Sequence, residues 1–271
     1  MEQKFIERPD AVERTSTELA GWPEPLLRLR EALEKNEFAL YCQPIAALCG
    51  RQDEFPMGEV LVRMREEERS LLPPGDFLPV FEHYLMMPQL DRWVLRHAVR
   101  ALTRGSRIPR LTVNVSGQTL RDGGFPPFAA AELRAARLAM NAVMFELDET
   151  DVLARPEAAA AFAAAVRAYG GSVLIDGFCR RAVSFAPFNA LRPEHVKVDG
   201  SVIRKLLSSE AAQTKLRAVV RVAQTLGMGV VAECVESDDV RARLKDFDVG
   251  FAQGFGVVQP RPIESFLSTK A

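Results

Sequence analysis

Short apolar runs that carry an acid or amide at or near one end recur along this chain. They are Gly58-Glu59-Val60-Leu61, Leu111-Thr112-Val113-Asn114, Val143-Met144-Phe145-Glu146, Val173-Leu174-Ile175-Asp176 and Val230-Val231-Ala232-Glu233. Stretches of helical periodicity separate them, and strands alternating with helices build a parallel sheet beneath a helical layer. Seven or eight such strands predict an α/β fold, a closed (β/α)₈ barrel rather than an open sheet. Closure gathers Glu59, Asn114, Glu146, Asp176 and Glu233 around one mouth, the end where such barrels keep their active sites. Oxygen-only donors suit magnesium, calcium or manganese and not zinc or copper.

The rest of the pattern agrees with a barrel. Helices are predicted over 25–35, 77–84, 90–102, 126–138, 156–169, 208–226 and 237–245 from their apolar stripes. Pro126-Pro127 opens one helix, and Gly170-Gly171 closes another. Strands are predicted over 38–45, 58–64, 111–116, 142–148, 172–176, 195–199, 229–233 and 249–254. Loops fill 50–53 and the charged stretch 66–75, which begins Glu66-Glu67-Glu68. Residues 1–22 read as a polar leader or linker, and 23–271 as one barrel domain.

Composition removes several function classes. The 271 residues suit a barrel of about 250. A net charge of −1 gives no broad basic face for a nucleic acid polymer. The four cysteines share no CxxC spacing and the three histidines are scattered, which argues against a zinc site or a disulfide framework and for a reducing cytoplasm. No apolar run reaches the roughly 18 residues of a membrane span. Neither GxGxxG nor a Walker pattern occurs, which disfavours nicotinamide enzymes and nucleotide triphosphatases. Cys42, Cys179 and Cys234 read as small packing residues.

At this point eight ordered segments resemble the EAL domains, the bacterial cyclic di-GMP phosphodiesterases. Glu59-Val60-Leu61-Val62-Arg63 is similar to the ExLxR signature, and Gln43-Pro44-Ile45 to the QPI that ends the family's first strand. Pro74-Gly75-Asp76-Phe77-Leu78-Pro79 resembles PxxFxP, and Asn114-Val115-Ser116 resembles NxS. Glu146-Leu147-Asp148-Glu149 resembles ExTE with Asp148 for threonine, and Lys197-Val198-Asp199 resembles KxD. Ala232-Glu233-Cys234-Val235-Glu236 resembles AEGVE with Cys234 for glycine, and Gln253-Gly254-Phe255 with Pro260 resembles QGxxxxxP.

The resemblance implies a TIM-like barrel with one antiparallel strand. It implies a first Mg²⁺ or Mn²⁺ on Glu59, Asn114, Glu146 and Asp176. A second ion falls to Asp176, the residue after it, and Glu233. Lys197 and Glu233 take catalytic places near the phosphate and its attacking water. Gln43, Leu61, Arg63, Asp199, Glu236, Gln253 and Pro260 surround the ligand, and Glu149 supports a loop. Bacterial cytoplasm, a homodimer and an attached regulatory domain or protein partner are further expectations of the same kind.

One segment departs from the family pattern. Where that pattern reads DDFGTG, this chain reads Asp176-Gly177-Phe178-Cys179-Arg180-Arg181. Gly177 offers no carboxylate to a second ion. Cys179 and Arg181 replace glycines where the loop bends, and non-glycine residues resist positive φ. Arg180 and Arg181 add positive charge beside a cation site. Three readings stay open. A cyclic di-GMP receptor with weak or no hydrolysis ranks first, an active phosphodiesterase producing linear pGpG second, and a protein-interaction module without nucleotide third.

Overall fold

The computed structural model describes residues 22–49, 55–65, 71–180, 185 and 188–268. The expected leader up to residue 21, the loop over 50–53, Glu66-Glu67-Glu68 and Arg181 lie outside the described residues. Ten strands form one sheet: β1 (Phe38–Ala47), β2 (Met57–Arg65), β3 (Leu71–Leu72), β4 (Leu111–Val115), β5 (Val143–Asp148), β6 (Ser172–Phe178), β7 (His195–Val198), β8 (Gly229–Ala232), β9 (Phe251–Ala252) and β10 (Arg261–Pro262). Strand β1 pairs with both β2 and β9, so the sheet closes into a barrel of eight strands, with β3 and β10 as short additions. Within the barrel the seams β2–β4, β4–β5, β5–β6, β6–β7, β7–β8 and β8–β9 are parallel, and of its eight strands only β1 runs against its neighbours; the added β3 lies antiparallel to β2. This is the expected (β/α)₈ fold with one reversed strand.

The period of two along each strand separates two cores. Val113, Phe145, Ile175, Val196 and Val230 point outward into a large core shared with the helices. Their neighbours Met144, Leu174 and Val231 point inward and join Ile45 and Met57 in a second core inside the barrel, with Phe251 against it. That inner layer floors the mouth. Each of its members lies two residues from a polar residue on the same face: Gln43, Glu59, Glu146, Asp176, Glu233 and Gln253. Thr112 and His195, both buried, stand in the same relation to Asn114 and Lys197.

Helices α1 (Pro25–Glu34), α2 (Pro74–His83), α3 (Met87–Thr103), α4 (Phe125–Ala135), α5 (Glu149–Ala154), α6 (Pro156–Ala168), α7 (Phe188–Leu191), α8 (Gly200–Ile203), α9 (Glu210–Thr225) and α10 (Asp238–Lys245) accompany the strands. Proline stands in the first turn of α1, α2, α3, α4 and α6, where no backbone donor is wasted. Serine side chains cap α9 and α10, accepting from the Ala212 and Val240 amides at 3.2 and 3.3 Å. The last barrel strand is shorter than expected: only Phe251–Ala252 pair, because Gly254 turns the chain away. A Cβ at Gly254 would strike the backbone of Val235, so only glycine fits that turn.

Candidate functional site

Each barrel strand, or the residue just beyond it, brings a polar side chain to the mouth. On β2, Glu59, Leu61 and Arg63 share a face by alternation, with Arg63 farthest out. Glu59 faces Gln43 across the β1 seam, and Asn114 faces Glu146 across the next parallel seam.

Lys197 links the carboxylates. Its Nζ donates to Glu59 Oε2 at 2.8 Å and Glu146 Oε2 at 2.6 Å, and lies 3.6 Å from Asp176 Oδ1. The lysine is wholly buried. Glu59 also accepts from Asn114 Nδ2 at 3.0 Å and from Gln253 Nε2 at 2.7 Å, and the same Gln253 nitrogen donates to Gln43 Oε1 at 3.2 Å. Gln43 in turn donates to the Val258 carbonyl.

Charges so close and so dry shift their titrations. Burial opposes the Glu59 anion, yet the Lys197 ammonium and three hydrogen-bond donors outweigh it and hold this carboxyl below its ordinary value. Burial, with Glu59 beside it, pushes Glu146 up to about 8. Burial and then the neighbouring Asp176 carboxylate push Glu233 well up. For Lys197 burial works against the charge, but Glu146, Glu59, Asp176 and Glu233 together raise it well above the ordinary lysine value.

The remaining expected residues differ in burial and in partners. Arg63 stacks over the Tyr41 ring at 5.6 Å and donates to its neighbour's carbonyl, Val62 O. Leu61 walls a cavity of about 460 Å³ with Leu78, Asn114, Asp148 and Asp151. A larger cleft of about 600 Å³, between Phe38, Trp93, Arg104 and Ile263, contains none of these side chains and lies apart from the carboxylates. Glu236 is exposed and Pro260 half-buried. Glu149 is buried and accepts from the Cys179 amide at 3.2 Å. Asp199 caps α8 through Ser201 N.

The sequence reading overlooked Asp91. This fully buried carboxylate accepts from Ser116 N, Ser116 Oγ and Thr119 Oγ1 at 3.0, 2.8 and 2.6 Å, and so fixes the loop just beyond Asn114. Its signal was an acid on the apolar stripe of α3, between Leu90 and Val94.

Cys179 bends the chain through the left-handed conformation that a non-glycine residue is expected to resist. Cys179 takes φ +73° and Cys234 takes φ +53°, left-handed conformations that cost a cysteine on the order of 1–2 kcal/mol. Burial of Cys179 between Glu149 and the Lys215 amine, which donates to the Cys179 carbonyl, holds it there. Arg180 folds back over Gly177: its Nε donates to Asp199 Oδ2 and its Nη1 to Asp148 Oδ2, both at 2.9 Å.

The oxygen atoms of this donor set suit a hard divalent ion. Glu59, Asn114, Glu146 and Asp176 offer only oxygen donors, and Glu146 Oε1 and Asp176 Oδ1 are buried without a hydrogen-bond partner. Among the described residues no three acidic, histidine or cysteine side chains make a ready cage, since the Lys197 ammonium stands among the carboxylates. A second ion would find Asp176 and Glu233 but no ligand from Gly177, with a guanidinium over that position.

A closed barrel with one reversed strand and an acidic, lysine-centred mouth defines the class, and the comparisons agree. Residues 27–260 match the family model described as EAL domain. The chain belongs to the EAL domain family. It is 28% identical over 247 residues to cyclic di-GMP phosphodiesterase PdeB of Shewanella oneidensis, covering 90% of this chain but 29% of PdeB. The chain thus spans about a third of the length of such curated relatives. Among solved structures, it resembles the PaMucR phosphodiesterase in its c-di-GMP complex with a TM-score of 0.81 at 26% identity, covering 90% of this chain and all of that one. It resembles the FimX EAL domain of Pseudomonas aeruginosa bound to c-di-GMP with a TM-score of 0.78 at 27% identity, covering 88% and 96%.

Proposed function

We propose that this domain binds cyclic di-GMP and signals its presence, with weak or no hydrolysis. One observation carries the reading. The place of a second metal ligand is a glycine, and Arg180 folds over it, while Gln43, Glu59, Arg63 and Gln253 remain at the mouth. Similarity to two EAL structures that hold c-di-GMP supports the choice of ligand. Arg63 offers a planar fork suited to a phosphodiester oxygen. Glu59, Asn114, Glu146 and Asp176 hold one Mg²⁺ or Mn²⁺, which when bound neutralises phosphate charge. The bound state is read by a partner protein or by a domain of a longer chain.

Hydrolysis to pGpG is the second reading. It is favoured by the convergence of all four first-ion residues with Lys197, and by the phosphodiesterase name of PdeB. Calorimetry with cyclic di-GMP in calcium, paired with pGpG formation in manganese, separates the two. Saturable binding with negligible turnover is the expected result. Steady turnover that disappears in Glu59→Ala overturns the receptor reading, and absence of binding in either metal leaves a protein-interaction role.

A further inference from the structure

Three of the residues that depart from the family pattern at this rim meet at one point. Asp148 stands for threonine at the end of β5, Gly177 for aspartate on β6, and Arg180 for threonine just beyond it. Arg180 Nη1 bonds Asp148, and its Nε bonds Asp199 beyond β7. A Cβ built on Gly177 would lie 2.7 Å from the Arg180 Cζ and closer still to Nη2. The guanidinium therefore fills the space that a side chain at 177 would occupy. Both aspartates are already used as helix caps: Asp148 Oδ1 accepts from Thr150 N at 2.7 Å and Asp199 Oδ1 from Ser201 N at 2.8 Å. Each gives its spare oxygen to Arg180. Three neighbouring strand ends are thus strapped by one cation.

An arginine here needs an empty side-chain position beneath it and an acid in front of it, and Gly177 and Asp148 supply one each. We infer that Asp148, Gly177 and Arg180 form one interlocked unit, in which the fixed guanidinium replaces the second divalent cation at the mouth. Its Nη2 has no hydrogen-bond partner among the described residues, which leaves a donor for an anionic oxygen such as a phosphodiester's. The domain then works with a single metal ion, and restoring the aspartate alone does not restore a second. This rests on the family's two-ion arrangement and on the receptor reading above, but its test does not depend on nucleotide binding.

The test counts Mn²⁺ ions by electron paramagnetic resonance in the wild type, Gly177→Asp, Arg180→Thr, and the triple variant Asp148→Thr with Gly177→Asp and Arg180→Thr. One ion is expected in the first three and two in the triple variant. Circular dichroism on each protein confirms folding. Should the triple variant not fold, the double variant Gly177→Asp with Arg180→Thr takes its place with the same expected count. Two ions in the wild type, or in Gly177→Asp with Arg180 intact, overturn the inference. So does a count below two when aspartate is restored and the arginine removed. Cyclic di-GMP calorimetry in calcium runs alongside. Its failure would end the receptor reading while leaving the ion count to decide the role of Arg180.

Discussion

Lys197 keeps its charge without any contact with water. An ammonium buried alone would lose its proton, but here Glu146, Glu59, Asp176 and Glu233 surround it and more than offset the loss of hydration. The carboxylates depend on it equally, for Glu59 holds its negative charge chiefly because Lys197 faces it. Replacing one partner of such a buried cluster leaves the others uncompensated, at a cost of about 3–5 kcal/mol. Lys197→Met, which keeps the shape, is therefore expected to lower stability by that order in metal-free urea unfolding. Added Mn²⁺ is expected to recover part of the deficit, because a divalent ion answers the same carboxylates and stabilises the folded state it binds. An equal deficit with and without Mn²⁺ would show that the lysine is not their counter-charge.

At the scale of elements, the barrel strands and the long helices were legible, and a few of the briefest elements were not. The run Val143-Met144-Phe145-Glu146 could be read as a strand with an acid at its end, because apolar residues on both faces mark a parallel strand covered inside and out. The pairs Leu71–Leu72 and Arg261–Pro262 and the four-residue helices α7 and α8 are too brief to display any period, and tertiary contacts alone define them. The reversal of β1 came from resemblance, since alternation has no direction. Of the site, the acids at strand ends could be read, whereas the strap of Arg180 onto Asp148 and Asp199 could not, because residues 19 and 32 positions apart meet only after closure.

Asp91 belongs to this scale as well, since it ties α3 to the loop beyond β4. Burial pushes its carboxyl up to about 6, although Thr119 and Ser116 pull the other way. The folded state therefore holds this proton more tightly than the unfolded chain, and the contribution to stability falls as pH rises from the ordinary value of 3.8 to about 6. Asp91→Asn cannot titrate. The melting temperature of the wild type minus that of the variant is expected to shrink from pH 4 to pH 6.5, and a constant difference would show that the buried carboxyl does not titrate there.

At the scale of the whole molecule, a cluster of charges stands at each end of the barrel. The mouth holds the carboxylate cluster to which ligand binding is assigned under the proposed function, while the opposite end holds an ion pair that joins strand beginnings. Arg110, just before β4, grips Glu194, just before β7, with two hydrogen bonds of 2.5 and 2.7 Å, and donates to Ser172 at the start of β6. In barrels of this kind the first end carries chemistry and the second carries stability. Hydrogen bonding from Arg110 holds the Glu194 carboxyl down to about 2. Its stabilisation is thus present above the ordinary 4.5 and is lost as pH falls toward 2. Glu194 is 41% exposed, so solvent screens the pair and the effect is modest. Arg110→Ala is expected to lower the melting temperature at pH 7, with the deficit narrowing between pH 4.5 and pH 3. Cyclic di-GMP affinity at pH 7 is expected to stay unchanged, because the barrel's inner layer of Ile45, Met57, Met144, Leu174 and Val231 separates this pair from the mouth. A weakened affinity in this variant would mean that the two ends are coupled through that layer, and the division of labour would fail.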